Sequence, residues 1–339
     1  MIKVHFFGVK PWEGEYIKTK FDPSKDIDVE CIEQIISPDN LPKDDQAEIL
    51  SVFVDSIVNR AVIDALPKLK HVSTRSTGFD HIDIKYCVEK NISVSSVPSY
   101  GENTVAEFAF ALLLTLSRKI YWAVDRIRET GSFSFDGLQG IDLKGKTLGV
   151  VGTGRIGRHS VQIAKGFAMD VVAYDERSDQ AFASSLGFKY LSFEELLKVS
   201  DIITLHVPYL PTTHHMVNEK TLMLMKPTAI LINTSRGAVV DTEALARALK
   251  EGKLGGAGLD VLEEEGVIKD EMEFLYKGHP EEHNLKTIIA NHVLIDMPNV
   301  IITPHNAFNT KEALVRILDT TLENISNFLK GTPSNIVKI

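Results

Sequence analysis

Residues Thr147 to Glu176 read TLGVVGTGRIGRHSVQIAKGFAMDVVAYDE, and the pattern of this stretch decides the fold. Leu148 to Val151 is a short, unalternating apolar run, as expected of a parallel strand covered on both faces. It leads into Gly152-Thr153-Gly154-Arg155-Ile156-Gly157, a G-x-G-x-x-G turn. Gly152 permits the tight turn, Gly154 lets the backbone approach a pyrophosphate with no Cβ in the way, and Gly157 lets the next helix pack closely on the strand. That helix starts at Arg155 and Ile156 and directs N–H groups and a positive dipole end at the phosphates. A second apolar run, Val171 to Tyr174, ends at Asp175, 18 residues past Gly157, where a carboxylate can accept hydrogen bonds from an adenosine ribose. Together these features predict a dinucleotide site on a doubly wound parallel sheet. Asp175 and Glu176 would repel the 2′-phosphate of NADP, so NAD is the expected cofactor, although the adjacent Arg177 is of a type that can accommodate that phosphate.

Upstream, Ile2–Phe7, Ile49–Val54, His71–Ser73 and Ile92–Val97 read as strands, with helices near Val62–Leu66 and Ile84–Glu89. This is a smaller parallel α/β domain. Thr104-Val105-Ala106-Glu107 has the form of a capping box and predicts one long helix carrying Phe108, Phe110, Leu112, Leu113, Leu114, Leu116, Ile120 and Trp122. Apolar side chains all round a helix require burial on more than one side, either within the chain or against a second copy, and a homodimer through this helix is expected. Downstream, Ile202–His206, Ile230–Asn233, Gly256–Val261 and Val300–Thr303 continue the larger sheet, with helices near Phe193–Val199 and Thr242–Lys250. An acidic excursion spans Glu263 to Asn299, and a last helix runs near Glu312–Leu329.

With 339 residues, 44% of them hydrophobic and 24% charged, the chain suits two globular domains. A net charge of −9 argues against nucleic-acid or anionic-membrane partners. The most apolar stretch, Val105 to Leu116, is interrupted by Glu107 and is too short to cross a bilayer. Cys31 and Cys87 are too few for a disulfide framework or a metal cluster, and His214 and His215 lack ligand partners at convincing spacing. No metal is expected, and MIKVHFFGVK lacks the form of a secretory signal, so a cytoplasmic location is expected.

Open α/β sheets bind ligands at the carboxyl ends of their strands. Asn233-Thr234-Ser235-Arg236-Gly237, Asp260 to Glu265, and Pro304-His305-Asn306-Ala307-Phe308 lie at three such ends. With Ser76-Thr77-Gly78-Phe79-Asp80-His81-Ile82-Asp83, the glycine turn, His206-Val207-Pro208, Gly258-Leu259-Asp260-Val261 and Thr303-Pro304-His305, the chain resembles the D-2-hydroxyacid dehydrogenases, and most closely their NAD-dependent D-lactate dehydrogenase branch. The resemblance covers almost the whole chain. It implies a Rossmann cofactor domain, residues 101–300, inserted in a flavodoxin-like substrate domain of residues 1–100 and 301–339, with the site in the cleft between them.

Residue by residue, the resemblance makes Arg236 the substrate-binding Arg, Glu265 the catalytic Glu and His305 the acid–base His. Reducing a 2-oxo acid takes a hydride at the carbonyl carbon, a proton for the forming alkoxide, and positive charge at the substrate carboxylate. An imidazole can give that proton near neutrality, and a carboxylate on its other nitrogen would fix the tautomer and stabilise the imidazolium. A guanidinium offers a planar fork to carboxylate and carbonyl together. Among Glu263, Glu264 and Glu265, the choice of Glu265 follows the family's spacing from Arg236. The resemblance also assigns substrate contacts to Thr77 and Gly78 through their backbone and to Phe53, Tyr100 and Phe308. It places Thr234 and Asp260 at the nicotinamide end, and Thr104 there or at a helix cap. Pro208 is assigned to the cofactor, and His206 either touches the cofactor or only positions the strand exit. The expected reaction is pyruvate to D-lactate. The alternatives are hydroxypyruvate, glyoxylate or phenylpyruvate as substrate, or an NAD-sensing interaction protein resembling the family's corepressors. Thr77 in place of Lys argues against a phosphite dehydrogenase, and Glu265 in place of Gln argues against a formate dehydrogenase.

Overall fold

A computed structural model describes residues 1–21, 27–42, 46–266 and 284–338. The chain folds as two compact units, Met1–Gly101 with Thr310–Ile339, and Glu102–Asn309.

The smaller unit is a five-stranded parallel sheet in the order β2-β1-β3-β4-β5, formed by β1 (Ile2–Phe7), β2 (Ile27–Ile32), β3 (Ile49–Val52), β4 (His71–Thr74) and β5 (Ser93–Ser95). This is the flavodoxin-like order. Its helices are α1 (Pro11–Lys20), α2 (Arg60–Asp64) and α3 (Ile84–Glu89). Two strands explain why sequence patterning is uneven here. Every residue of β3 is buried, and the strand reads as a plain apolar run. Edge strand β2 alternates apolar Ile27, Val29 and Cys31 with Asp28 and Glu30 and is half-exposed, and α1 buries only Glu13, Gly14 and Ile17; neither was expected from the sequence.

The larger unit is a seven-stranded parallel sheet in the order β12-β11-β10-β9-β6-β7-β8. Its strands are β6 (Thr147–Val151), β7 (Asp170–Tyr174), β8 (Lys189–Tyr190), β9 (Ile202–Leu205), β10 (Ile230–Asn233), β11 (Gly256–Leu259) and β12 (Val300–Ile302). The order turns back at β6, as in a dinucleotide-binding fold, with one strand added. Its helices are α4 (Glu102–Ser117), α5 (Ile120–Thr130), α6 (Arg155–Gly166), α7 (Gln180–Leu186), α8 (Phe193–Val199), α9 (Glu219–Leu222), α10 (Thr242–Lys250) and α11 (Leu285–Ile295). The last helix, α12 (Lys311–Leu329), returns to the smaller unit, where Leu318 and Ile325 are buried with Val4, Phe6 and Ile49.

Three expectations change. The second boundary lies at Thr310 rather than 301, because β12 pairs with β11 and completes the larger sheet. Thr104 is not a helix cap: α4 begins at Glu102 and Thr104 is buried in its first turn. The expected single helix breaks at Lys119, whose φ of 51° turns the chain into α5. As a result α4 packs inside its own unit, with Leu112, Leu113 and Leu116 among the core that holds Leu148 and Ile232. By contrast, α5 buries no residue. Of the acidic excursion, 267–283 lie outside the described residues. Among those described, no helix is long and apolar enough to cross a membrane.

Candidate active site

Strand register in the larger unit lines up the residues that follow each strand. Tyr174 pairs with Val151, Val151 with Leu205, Leu205 with Asn233, Asn233 with Leu259, and Leu259 with Ile302. The next residues, Asp175, Gly152, His206, Thr234, Asp260 and Thr303, therefore stand in one row along the carboxyl edge. The strand order reverses between β6 and β9, so the crevice of this sheet opens beside Gly152 and His206.

The glycine turn is shaped as its spacing implies. Gly152 has φ +90°, and a Cβ there would lie 2.7 Å from His206 O; a Cβ on Gly157 would lie 2.0 Å from Gly152 O. At Gly154 a Cβ would meet nothing within 4 Å, and α6 starts there without a side-chain cap. There is thus room beside Gly154 at the start of α6, where Arg155, Ile156 and Gly157 form the first turn, as an anion-binding helix end requires. Asp175 Oδ2 accepts from the Thr153 N–H (2.7 Å) and hydroxyl (3.0 Å), and Oδ1 accepts from the Arg177 N–H (2.8 Å). The Thr153 hydroxyl also meets the Tyr190 hydroxyl at 2.8 Å. The carboxylate at the expected ribose position is therefore fixed, by Thr153 and indirectly Tyr190, two residues the sequence reading did not single out. The signal was weak, because β8 is only two residues long.

His206 lies at the exit of β9. Its Nε2 lies 2.8 Å from Ser160 Oγ and 3.0 Å from Thr204 Oγ1, and burial pulls its pKa down to about 4. Pro208 O accepts from the Thr213 hydroxyl at 2.7 Å and belongs to the same exit. Thr234 is buried at the end of β10 with its hydroxyl unpartnered, a polar group suited to meet a cofactor. These features fit NAD, with the phosphates at α6 and the ribose at Asp175.

The other end of the row carries the proposed chemistry. Asp260 is held in place: Oδ1 accepts from the Thr303 hydroxyl (2.5 Å) and Asn306 N–H (2.8 Å), and Oδ2 from Ala307 N–H (2.8 Å). Burial raises its pKa, against these hydrogen bonds, which lower it. His305, held by its N–H on Asp260 O (2.8 Å), takes the left-handed backbone at φ 51°. This places its Nδ1 2.8 Å from Glu265 Oε1. The three neighbouring glutamates thus separate. Glu265 meets His305, whereas Glu263 accepts from Thr242 N–H (3.1 Å) and hydroxyl (2.7 Å) and lies 2.7 Å from His215 Nε2. Arg236 leaves β10 one strand away, and Asn233 shapes that exit by donating to Arg236 O (2.9 Å) and accepting from Ser235. Gly237 brings the two exits together, since a Cβ there would lie 2.0 Å from Leu262 C and 2.4 Å from Glu263 N. Phe308 sits half-exposed just beyond His305. His214 stacks on His215 at 3.9 Å, and among the described residues no three His, Cys, Asp or Glu side chains gather as for a metal ion.

In the smaller unit, the loop after β4 is tied to itself. The Thr77 hydroxyl donates to Val97 O (2.7 Å), and the Ser76 hydroxyl donates to Gly78 O (2.6 Å). The Thr77 side chain is committed, so what Thr77 and Gly78 present is backbone. Beneath the loop lies Arg75, 2% exposed, donating to Phe7 O (2.7 Å), Gly8 O (3.0 Å) and Ser51 Oγ (3.3 Å). Burial pulls its pKa down to about 10, which leaves it charged at neutral pH. The visible signal was a lone cation directly after a buried strand. Phe53 and Tyr100 are half-exposed; Phe53 O accepts from Ser56 N–H and Tyr100 O from Arg316 Nε.

Fold, glycine turn and the three strand exits define an NAD-dependent oxidoreductase of 2-hydroxy acids. The chain belongs to the D-isomer specific 2-hydroxyacid dehydrogenase family, whose NAD-binding domain matches residues 110–307. It is 36% identical to the D-lactate dehydrogenase kk1H of Curvularia clavata, over 98% of this chain and 94% of that one. It is 40% identical to a glyoxylate reductase of Thermococcus litoralis, over 88% and 85%. The D-lactate dehydrogenase of Aquifex aeolicus, solved with NAD and lactic acid, superposes with a TM-score of 0.82 at 37% identity, covering 97% of this chain and 96% of that one.

Proposed function

We propose that this 2-hydroxyacid dehydrogenase reduces pyruvate to D-lactate with NADH, reversibly. The observation that carries the reading is the 2.8 Å contact between His305 Nδ1 and Glu265 Oε1, on the next two strand exits beyond that of Arg236. When bound, NADH supplies a hydride for the substrate carbonyl carbon. With Nδ1–H donating to Glu265, His305 Nε2 is the atom that gives a proton to the forming alkoxide and takes it back in oxidation. Glu265 holds the ring and stabilises its charged form. Arg236 binds the carboxylate and carbonyl oxygens through its fork. Substrate contacts fall to the backbone of Thr77 and Gly78 and to Phe53, Tyr100 and Phe308, and Thr104 and Thr234 line the nicotinamide end.

The D configuration and the preference for pyruvate are supported by the likeness to D-lactate dehydrogenases, and glyoxylate is the second candidate on the likeness to a glyoxylate reductase. A homodimer through the cofactor-binding unit is part of the reading. Helix α5 exposes Ile120, Tyr121, Val124 and Ile127, and the following loop exposes Phe133 (89%) and Phe135 (84%), an apolar surface of the kind that subunits cover. The setting is cytoplasmic, where free thiols such as Cys31 and Cys87 persist.

The test is NADH oxidation by the purified protein over pyruvate, glyoxylate, hydroxypyruvate, 2-oxobutyrate and phenylpyruvate, with chiral analysis of the product. The highest kcat/KM is expected for pyruvate, with D-lactate as product. A higher value for another acid, or an L product, refutes the assignment. No turnover with any 2-oxo acid would favour a sensor. Sedimentation should give a dimer, and Val124→Glu a monomer.

A further inference from the structure

We infer that Glu263 and His215 form a positioning pair that sets the spacing between the Arg236 exit and the Glu265–His305 couple. The inference rests on the active-site reading above.

Glu263 lies two residues before Glu265 on the loop after β11, and its side chain is only 14% exposed. Each part of it is held. Oε2 accepts both Thr242 donors at the start of α10, and Oε1 lies 2.7 Å from His215 Nε2. Its backbone O accepts from Asn291 Nδ2 at 2.7 Å, and Asn291 is fully buried on α11. On the other side, the chain from Arg236 to Thr242 is gripped by the same groups. His215 N–H donates to Ala238 O (2.9 Å), Val217 N–H to Val239 O (3.1 Å), and Val217 bridges Val240 in parallel register. His215 holds a left-handed backbone, φ 48°, and its O accepts from Asn218 Nδ2 at 2.8 Å. A single carboxylate therefore ties the segment that begins with Arg236, at its middle through His215 and at its end through Thr242, to the loop that ends with Glu265.

Glu263 does not meet His305; it acts through Glu265. The competing explanation is that Glu263 only caps α10. The two differ at His215, which is no part of the α10 start, and at observables that a cap would not move. A misplacement of about 1 Å in a catalytic constellation costs on the order of 100-fold in rate.

The experiment compares wild type, Glu265→Gln, Glu263→Ala, Glu263→Gln, His215→Ala and the Glu263→Ala/His215→Ala double variant. Each is assayed for 2-oxo acid reduction across pH, for NADH binding by fluorescence, and for Tm. Wild-type turnover, and its loss toward high pH in Glu265→Gln, test the underlying reading separately. With those in place, Glu263→Ala should lower kcat/KM by about 30- to 100-fold. It should also raise KM for the 2-oxo acid, move the basic limb of reduction to lower pH, and change NADH affinity by less than about threefold. Glu263→Gln, which keeps an acceptor for Thr242, should recover most of this. His215→Ala should move KM and the limb in the same direction by less, and the double variant should be no worse than Glu263→Ala, as coupled sites require. A Glu263→Ala enzyme with lowered Tm but unchanged KM and pH limb, or a kinetically silent His215→Ala, would overturn the inference.

Discussion

Gly237→Ala adds one methyl group at the point where the exits of β10 and β11 touch, and the structure sets the size of the effect. The new Cβ would lie 2.0 Å from Leu262 C, 2.2 Å from Leu262 O and 2.4 Å from Glu263 N, all backbone atoms that no rotamer change can move. Ordinary contact begins near 3.4 Å, so the two segments must part by about 1.4 Å. Overpacking of this kind costs about 1–3 kcal/mol, which in a unit of this size is a fall in Tm of roughly 2–12 °C. The kinetic cost is larger, because the parted segments carry Arg236 on one side and Glu265 on the other. A shift near 1 Å corresponds to about 100-fold in kcat/KM. NADH binding should change little, since the glycine turn follows β6 and Asp175 follows β7. NADH oxidation at saturating cofactor, fluorescence titration and thermal melting separate these effects. Activity within about threefold of wild type, at any Tm, would refute the claim that this contact sets the geometry.

Three further outcomes are expected. Glu265→Gln keeps the shape but removes the charge 2.8 Å from His305 Nδ1, so reduction should fail at lower pH than in wild type; an unchanged pH–rate profile would point to another carboxylate. Asp175→Ala should weaken NADH, improve NADPH and narrow their kcat/KM ratio by about tenfold or more, whereas an unchanged ratio would remove Asp175 from cofactor selection. Burial lowers His71 and His206 from 6.5 to about 4, so the unfolded chain binds protons more readily between these values; the stability this contributes is present above about pH 6.5 and lost as pH falls through 4. The loss is on the order of 3 kcal/mol per residue, and His71→Asn should flatten the pH dependence of the smaller unit's melting between about pH 7 and 4.5.

The glycine turn, its strand and Asp175 are legible in the sequence because each depends on neighbours within one βα unit: a tight turn, an uncovered helix end, a short apolar run. Strands β1 and β10 and helices α3, α8 and α10 lie where their patterns put them for the same reason. Legibility falls where an element is very short or has little periodic signal, as in β8 and α1, or where one residue overrides a pattern, as Lys119 does between α4 and α5. Thr104 shows the same limit: its four-residue signature matched a cap, but packing starts the helix two residues earlier.

For the site, the residue pattern carries the ingredients: a dinucleotide turn, a carboxylate 18 residues past Gly157, and Arg236, Glu265 and His305 at strand exits, the last three through resemblance to a family. Their arrangement in space comes only from the folded chain. The register from Tyr174 to Ile302 places distant residues in one row. The left-handed backbone of His305 and the Asp260 carboxylate turn the imidazole onto Glu265, and His215, Thr242 and Asn291 draw Glu263 to a different task. As a string Glu263 and Glu265 are equivalent, and only the groups the fold sets opposite each of them make them different.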